Sequence, residues 1–249
     1  MQVLRAALVA LRNLKVPSDA VVLASYPKSG NTWLKMLLCA ALQHVEPDFD
    51  EIEKMVPYAG LGSPPAISGT RIVKTHERPS RLYRRGVYLV RDPYAVARSY
   101  FAAMVREGVF GVGETDRYLC QFFRGKLDNY GAWGVHASAW TRFIDGKPQW
   151  YLLKYEDLVG RPSEQIQEIV QHIGKRVDDK QVRLAVEACS RENLAKAESR
   201  SLRLGRKRRT TGIGFVGGGR QVPFVPQETF YSHPDAAQVL TVARQLGYA

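Results

Sequence analysis

"AVVLASYPKSGNTWLKMLLCAALQHV", residues 20 to 45, decides the fold. A short apolar, β-branched run over 20–25 meets a turn bearing proline and glycine, and from Thr32 onward the apolar residues recur with helical period. A strand, a tight turn at Gly30 and a helix beginning near Thr32 point several backbone N–H groups and the positive helix end at one spot, which suits a phosphate or sulfate. Lys28 adds a cation beside it. This is not the standard G-x-x-x-x-G-K-[ST] loop: the lysine precedes the glycine, and no Gly-Lys-Ser/Thr remains to hold Mg²⁺.

Outward from this stretch, "RIVKTH" (71–76), "VYLVRD" (87–92) and "WYLLKYEDL" (150–158) read as further strands, and "AVARSYFAAMV" (95–105) reads as a helix. Pro162 suits a first helical turn, and "SEQIQEIVQHI" places Ile166, Ile169, Val170 and Ile173 on one face. Strands separated by helices predict an α/β fold: a single domain over 1–249, with a central, mainly parallel sheet flanked by helices and a P-loop-like nucleotide-binding core. Ligands of such sheets bind at the strand C-termini, where the motifs of this chain fall. The opening "MQVLRAALVALRNLK" is interrupted by Arg5 and Arg12 and lacks a small-residue cleavage site. It predicts an amphipathic helix with Leu4, Leu8 and Leu11 packed on the domain, a membrane-surface role being the lesser alternative.

Composition bounds the remaining classes. A chain of 249 residues with 45% hydrophobic content buries a sizeable core, and no apolar run reaches membrane-spanning length. Cys39, Cys120 and Cys189 are far apart and odd in number, which argues against a disulfide framework and for a reducing cytoplasm. The five histidines show no metal-ligand spacing, so no metal is implied. A formal charge of +12, from 36 basic and 24 acidic residues, attracts anions without choosing among polyanions, anionic lipids and charged small ligands. Part of the surplus lies in "RSLRLGRKRRTTG" (200–212), which reads equally as a solvated segment and as an anion-binding arm.

The loop "SYPKSGNTW" resembles the 5′-phosphosulfate-binding loop of the sulfotransferases that use 3′-phosphoadenosine 5′-phosphosulfate (PAPS). "VKTHERP" is similar to that family's segment carrying a catalytic histidine, "VRDPYAVARSYF" to its 3′-phosphate motif, "YGAWGVHASAW" to its G-x-W-x-x-H-x-x-x-W stretch and "YLLKYEDL" to the strand that follows. The matches run in family order from about residue 20 to 160. The resemblance implies sulfuryl transfer from PAPS to a hydroxyl of a small-molecule or natural-product acceptor, releasing PAP.

It also implies roles for individual residues. Lys28 neutralises the leaving phosphate, and the N–H groups of Ser29, Gly30, Asn31 and Thr32 cradle it. His76 is the general base, its imidazole suited to proton removal near neutrality. Lys74, two residues earlier on the same strand face, reaches the transferring group. Arg91 and Ser99 hold the 3′-phosphate, while Trp33 and Tyr155 match positions that contact adenine. Taken without the resemblance, a histidine at a strand end, an arginine cap and two aromatics are ordinary structural residues.

The last third departs from the pattern. In "GFVGGGRQVPF", Gly217 and Gly218 stand where many cytosolic relatives carry a basic pair, and the segment resembles bacterial sulfotransferases that modify glycopeptide antibiotics. Arg220, or an arginine from 206–209, is the candidate replacement, and Arg191 stands where an aromatic is common. Segments 46–70 and 105–131 are the expected acceptor loops; Phe110, Tyr118, Phe122 and Phe123 suit either acceptor stacking or core packing. Arg78, Arg81, Arg84 and Arg85 read as a solvated helix face, the lesser alternative being a cleft-facing group that favours a negatively charged acceptor. A P-loop-like nucleotide kinase and a nucleic-acid-binding protein are the alternatives from other classes; the first lacks a metal-holding acid at a strand end, and the second lacks a recognised motif. The expected partners are therefore the small-molecule acceptor, with no nucleic acid and no membrane span, and a homodimer left open.

Overall fold

The computed structural model describes residues 2–43, 46–203, 216–217 and 221–249. Strand β1 (Val21–Ser25) lies in a five-stranded sheet with β2 (Ala66–Ile67), β3 (Thr70–Thr75), β4 (Arg85–Val90) and β5 (Trp150–Lys154), in the order β2-β3-β1-β4-β5. β1 pairs in parallel with β3 and β4, and β4 pairs in parallel with β5; only the short β2 runs antiparallel, against β3. The expected α/β architecture is therefore present.

Burial on both faces explains why the central strands read as apolar runs rather than alternating ones. Val22 and Ala24 of β1, with Tyr88 and Val90 of β4, enter one core; Val21 and Leu23, with Val87 and Leu89, enter the other. The first core is closed by α4 (Pro93–Arg106), α5 (Thr115–Phe123), α6 (Trp133–Ile144), α11 (Gln227–Tyr231) and α12 (Ala237–Gln245). The second is closed by α2 (Asn31–Gln43), α3 (Glu51–Met55), α7 (Tyr155–Gly160), α8 (Pro162–His172), α9 (Asp179–Ala188) and α10 (Arg191–Arg203). β1 and β4 approach closely at Gly86, where a Cβ would stand 2.1 Å from the carbonyl oxygen of Val22. α4 starts directly after β4, with Pro93 in its first turn and Asp92 accepting from the backbone N–H of Tyr94 at 3.0 Å.

Three expectations need correction. The strand predicted over 150–158 stops at Lys154, and Tyr155 opens the short helix α7. The loop predicted over 105–131 contains α5, which carries Tyr118, Phe122 and Phe123 into the core beside Phe110. The apolar face of α1 (Gln2–Asn13) does not pack on the domain: Leu4, Leu8 and Leu11 are exposed. Its polar face points inward, because the half-buried Arg5 and Arg12 reach the buried carboxylate of Glu77, each at 2.9 Å.

Candidate active site

β1 ends at Ser25 and the chain turns through residues 26–30 into α2. Lys28 has φ 68° and Gly30 φ 103°, and a left-handed lysine is an uncommon conformation that marks the turn as specialised. Gly30 is required twice over, since a Cβ there would also lie 2.5 Å from a ring carbon of Tyr155. The first i to i−4 bond of α2 runs from Leu34 N–H to Gly30 O at 3.1 Å, so the preceding N–H groups have no acceptor within the helix. Asn31 ties the helix start to β1, its Nδ2 donating to Leu23 O at 3.1 Å and to Ser25 Oγ at 3.2 Å. Ser29 is fully buried, yet its Oγ has no hydrogen-bond partner.

Arg91 joins this turn from the end of β4. Its Nη1 donates to Lys28 O at 3.1 Å, and its guanidinium lies 4.2 Å from the centroid of the Tyr155 ring. The buried Nε of Arg91 is also unpartnered. Trp33 meets Tyr155 edge-on at 5.8 Å and donates from Nε1 to Cys189 O at 2.9 Å. Lys28, Gly30, Trp33, Arg91 and Tyr155 are thus one contiguous group, with Thr32 partly exposed at the head of α2. Ser99 stands on the second turn of α4, half-buried and outside these direct contacts.

On the other side of the turn, His76 Nδ1 lies 2.8 Å from Ser25 O. A carbonyl only accepts, so Nδ1 carries the proton and the lone pair is at Nε2. The backbone N–H of His76 donates to Tyr58 Oη at 3.0 Å, and the Tyr58 and Tyr130 rings stand edge-on to the imidazole at 6.1 and 5.7 Å. Burial pushes the His76 pKa down to about 4, opposed by the bond to Ser25 and reinforced by the charges of Lys74 and Lys35. The side chain is therefore neutral at physiological pH.

Two residues without a role in the sequence reading hold His76 in place. His136 Nε2 donates to His76 O at 3.1 Å, and Trp140 Nε1 donates to Glu77 O at 2.9 Å. They stand four apart on α6, so one helix face satisfies two consecutive carbonyls just past β3. Tyr88 Oη donates to His136 Nδ1 at 3.3 Å, which fixes the donor tautomer at Nε2. Burial pushes the His136 pKa down to about 3. The polar residues spaced four apart within the aromatic "WGVHASAW" were the available signal.

Lys74 is ion-paired to Glu53 Oε2 at 2.8 Å, while Glu53 Oε1 takes the fully buried Lys35 at 2.6 Å. Burial, reinforced by the neighbouring Lys74, lowers the Lys35 pKa to about 8 against the pull of Glu53. Arg220 and residues 206–209 and 218 fall outside the described residues. Gly217 packs against Arg191, with a Cβ there only 2.4 Å from Nη2. Arg78, Arg81 and Arg84 are exposed, and Arg85 donates to Asp19 O at 3.0 Å. Cys120, His233 and Asp235 bring potential metal-ligand atoms within 4.8 Å of one another. That group is spent internally: Arg124 Nε holds Asp235 Oδ2 at 2.8 Å, and the Asp235 N–H donates to His233 Nδ1 at 3.1 Å, leaving the proton on Nε2. No helix among the described residues is long and apolar enough to cross a membrane.

A family model described as the sulfotransferase domain matches residues 18–211. Sulfotransferase 1A1 of Canis lupus familiaris is 27% identical over 206 residues, covering 74% of this chain and 68% of that protein. Sulfotransferase 1B1 of Mus musculus is 31% identical over 184 residues, covering 66% of this chain and 60% of that protein. Among solved structures, retinol dehydratase in complex with androsterone and inactive cofactor PAP superposes with a TM-score of 0.69 at 18% identity, covering 94% of this chain and 83% of that one. Mouse sulfotransferase SULT7A1 complexed with PAP gives a TM-score of 0.60 at 21% identity over 74% of this chain and 70% of that one. These two structures bear on the fold.

Proposed function

Because the chain belongs to the sulfotransferase family, we propose that it transfers a sulfuryl group from PAPS to a hydroxyl of a small-molecule or natural-product acceptor and releases PAP. The carrying observation is the bond from Arg91 Nη1 to Lys28 O. It brings together two elements suited to anions, a strand-turn-helix and a strand-end arginine, which supports a single site for a nucleotide with phosphates at both 5′ and 3′ positions. Fit to the nucleotide is supported by the buried, unpartnered Ser29 Oγ and Arg91 Nε, which are donors without an acceptor in the protein. Trp33 and Tyr155 supply aromatic surface for the base.

In this account the acceptor oxygen attacks sulfur while the bond between sulfur and the bridging phosphate oxygen breaks, the leaving PAP taking the electron pair. His76 Nε2 receives the acceptor proton. Ser25 holds the opposite nitrogen as a donor, so the imidazole is presented as a base and gains charge only as the proton arrives. Lys28 and the first N–H groups of α2 stabilise the charge growing on the leaving phosphate, with no metal ion assigned a role. Lys74 assists at the transferring group by sharing or leaving Glu53. Ser99 is assigned to the 3′-phosphate beside Arg91, and Arg220 or an arginine from 206–209, outside the described residues, is the candidate for the remaining charge. We read 1–249 as one domain acting in the cytoplasm, where free cysteines such as the buried Cys39 and Cys189 persist.

The test is transfer of labelled sulfate from PAPS to a panel of phenolic, alcoholic and glycosidic hydroxyls, with and without EDTA. Transfer that survives EDTA supports the proposal. Absence of transfer across the panel together with Mg²⁺-dependent phosphoryl transfer from ATP contradicts it.

A further inference from the structure

α1 is amphipathic with its sides exchanged. Arg5, Arg12 and the buried Asn13 face the domain, Asn13 accepting from Tyr83 Oη at 2.8 Å. The outward face is made of Leu4, Leu8, Leu11 and Leu14, exposed to 68, 57, 59 and 67%, with the exposed Ala6, Ala7 and Ala10 between them. Leu61 and Leu82, exposed to 66 and 40%, are chain neighbours of residues that meet α1. Leu61 follows the glycine that abuts Arg12, and Leu82 precedes the tyrosine bonded to Asn13. The orientation is built in, because the ion pairs to Glu77 require the arginines to face inward.

We propose that this face docks on an anionic membrane surface, with α1 lying in the interface plane. Its leucines would enter the boundary between headgroups and acyl chains, and the exposed Lys15, which follows Leu14, with Arg81 and Arg84, which flank Leu82 and the Asn13-bonded Tyr83 in the chain, would meet anionic headgroups. Charge complementarity selects this occupant over a second copy of the chain. Self-association through the patch would set each basic rim close to another on molecules of formal charge +12. The leucine area is on the order of 600 Å², large for a monomer's apolar patch yet below the roughly 800 Å² per partner of a standard protein interface. Glu77 adjoins His76, so docking through α1 would set the acceptor side of the site against the lipid.

The experiment is flotation of the full chain with phosphatidylcholine vesicles, with and without about 30% phosphatidylserine, at physiological salt. The wild type is compared with Leu8→Glu/Leu11→Glu and with Lys15→Glu/Arg81→Glu, each checked for folding by thermal melting. The proposal expects at least about 10-fold stronger binding to the anionic vesicles and a loss of about 10-fold or more in both variants. Binding untouched by Leu8→Glu/Leu11→Glu overturns it, because charge alone would then explain attraction. So does absence of vesicle binding, including the case in which sedimentation shows a wild-type dimer that the leucine variant dissociates. If the leucine variant does not fold, the charge variant decides alone, and unchanged binding by it overturns the proposal.

Discussion

His76 Nδ1 lies 2.8 Å from the carbonyl oxygen of Ser25, the residue that ends β1 and begins the turn carrying Lys28. The strand that shapes the proposed phosphate cradle therefore also sets the tautomer of the proposed base. His76→Ala is expected to lower kcat by about 10²- to 10⁴-fold, the usual range for a general base, while the Kd for PAP changes by less than about 3-fold, well under 1 kcal/mol. Steady-state kinetics and calorimetry on the same preparation check this split. Unchanged turnover removes the base assignment.

Arg91 reaches Lys28 O and stacks on Tyr155 at once, a geometry that needs a planar guanidinium. Arg91→Lys keeps the charge and loses both features. PAP binding is expected to weaken by about 10- to 100-fold, in line with losing charge-assisted hydrogen bonds worth roughly 1.5–3 kcal/mol. An unaltered Kd by calorimetry places the 3′-phosphate elsewhere.

Glu53 holds two lysines, one of them fully buried. Removing the carboxylate leaves Lys35 in the core without its counter-charge, so Glu53→Ala is expected to cost about 2–4 kcal/mol in urea denaturation, less than a wholly buried pair because Glu53 is itself partly exposed. Lys35→Met, which removes the buried charge and leaves Glu53 to Lys74, is expected to cost less. The reverse order contradicts this reading of the cluster.

His136 is neutral in the folded state with a pKa near 3, against about 6.5 in the unfolded chain. Between these values the unfolded state binds more protons, so this histidine makes stability fall as pH drops from about 6.5 toward 3. At pH 5 its share of the loss is about 2 kcal/mol. His76, depressed to about 4, acts in the same direction with a smaller share because it is partly exposed. Denaturation at pH 7 and pH 5 should show a smaller difference for His136→Gln than for the wild type, and equal differences would refute the buried-neutral assignment.

The sheet was legible because β1 and β4 are buried on both faces and carry unbroken apolar runs. The turn after β1 was legible because Gly30 and Lys28 stand between such a run and a helical period. The face of α1 was not. Periodicity reveals an apolar side without saying what it meets, and the inward turn is set by Glu77, 65 and 72 positions from the arginines it captures. The α6 clamp on His76 escaped for the same reason, since its acceptors are backbone carbonyls with no signature in sequence. Phe110, Tyr118, Phe122 and Phe123 were open between acceptor pocket and core, and α5 settles them in the core.

The most direct test of the central claim is calorimetric titration of the protein with PAP, with and without EDTA, beside ATP-Mg. The account predicts a Kd of about 1–10 µM, roughly 7–8 kcal/mol, indifferent to EDTA and tighter than for ATP-Mg. Failure to bind PAP, or a preference for ATP-Mg that EDTA abolishes, would contradict a PAPS site built on Lys28 and Arg91.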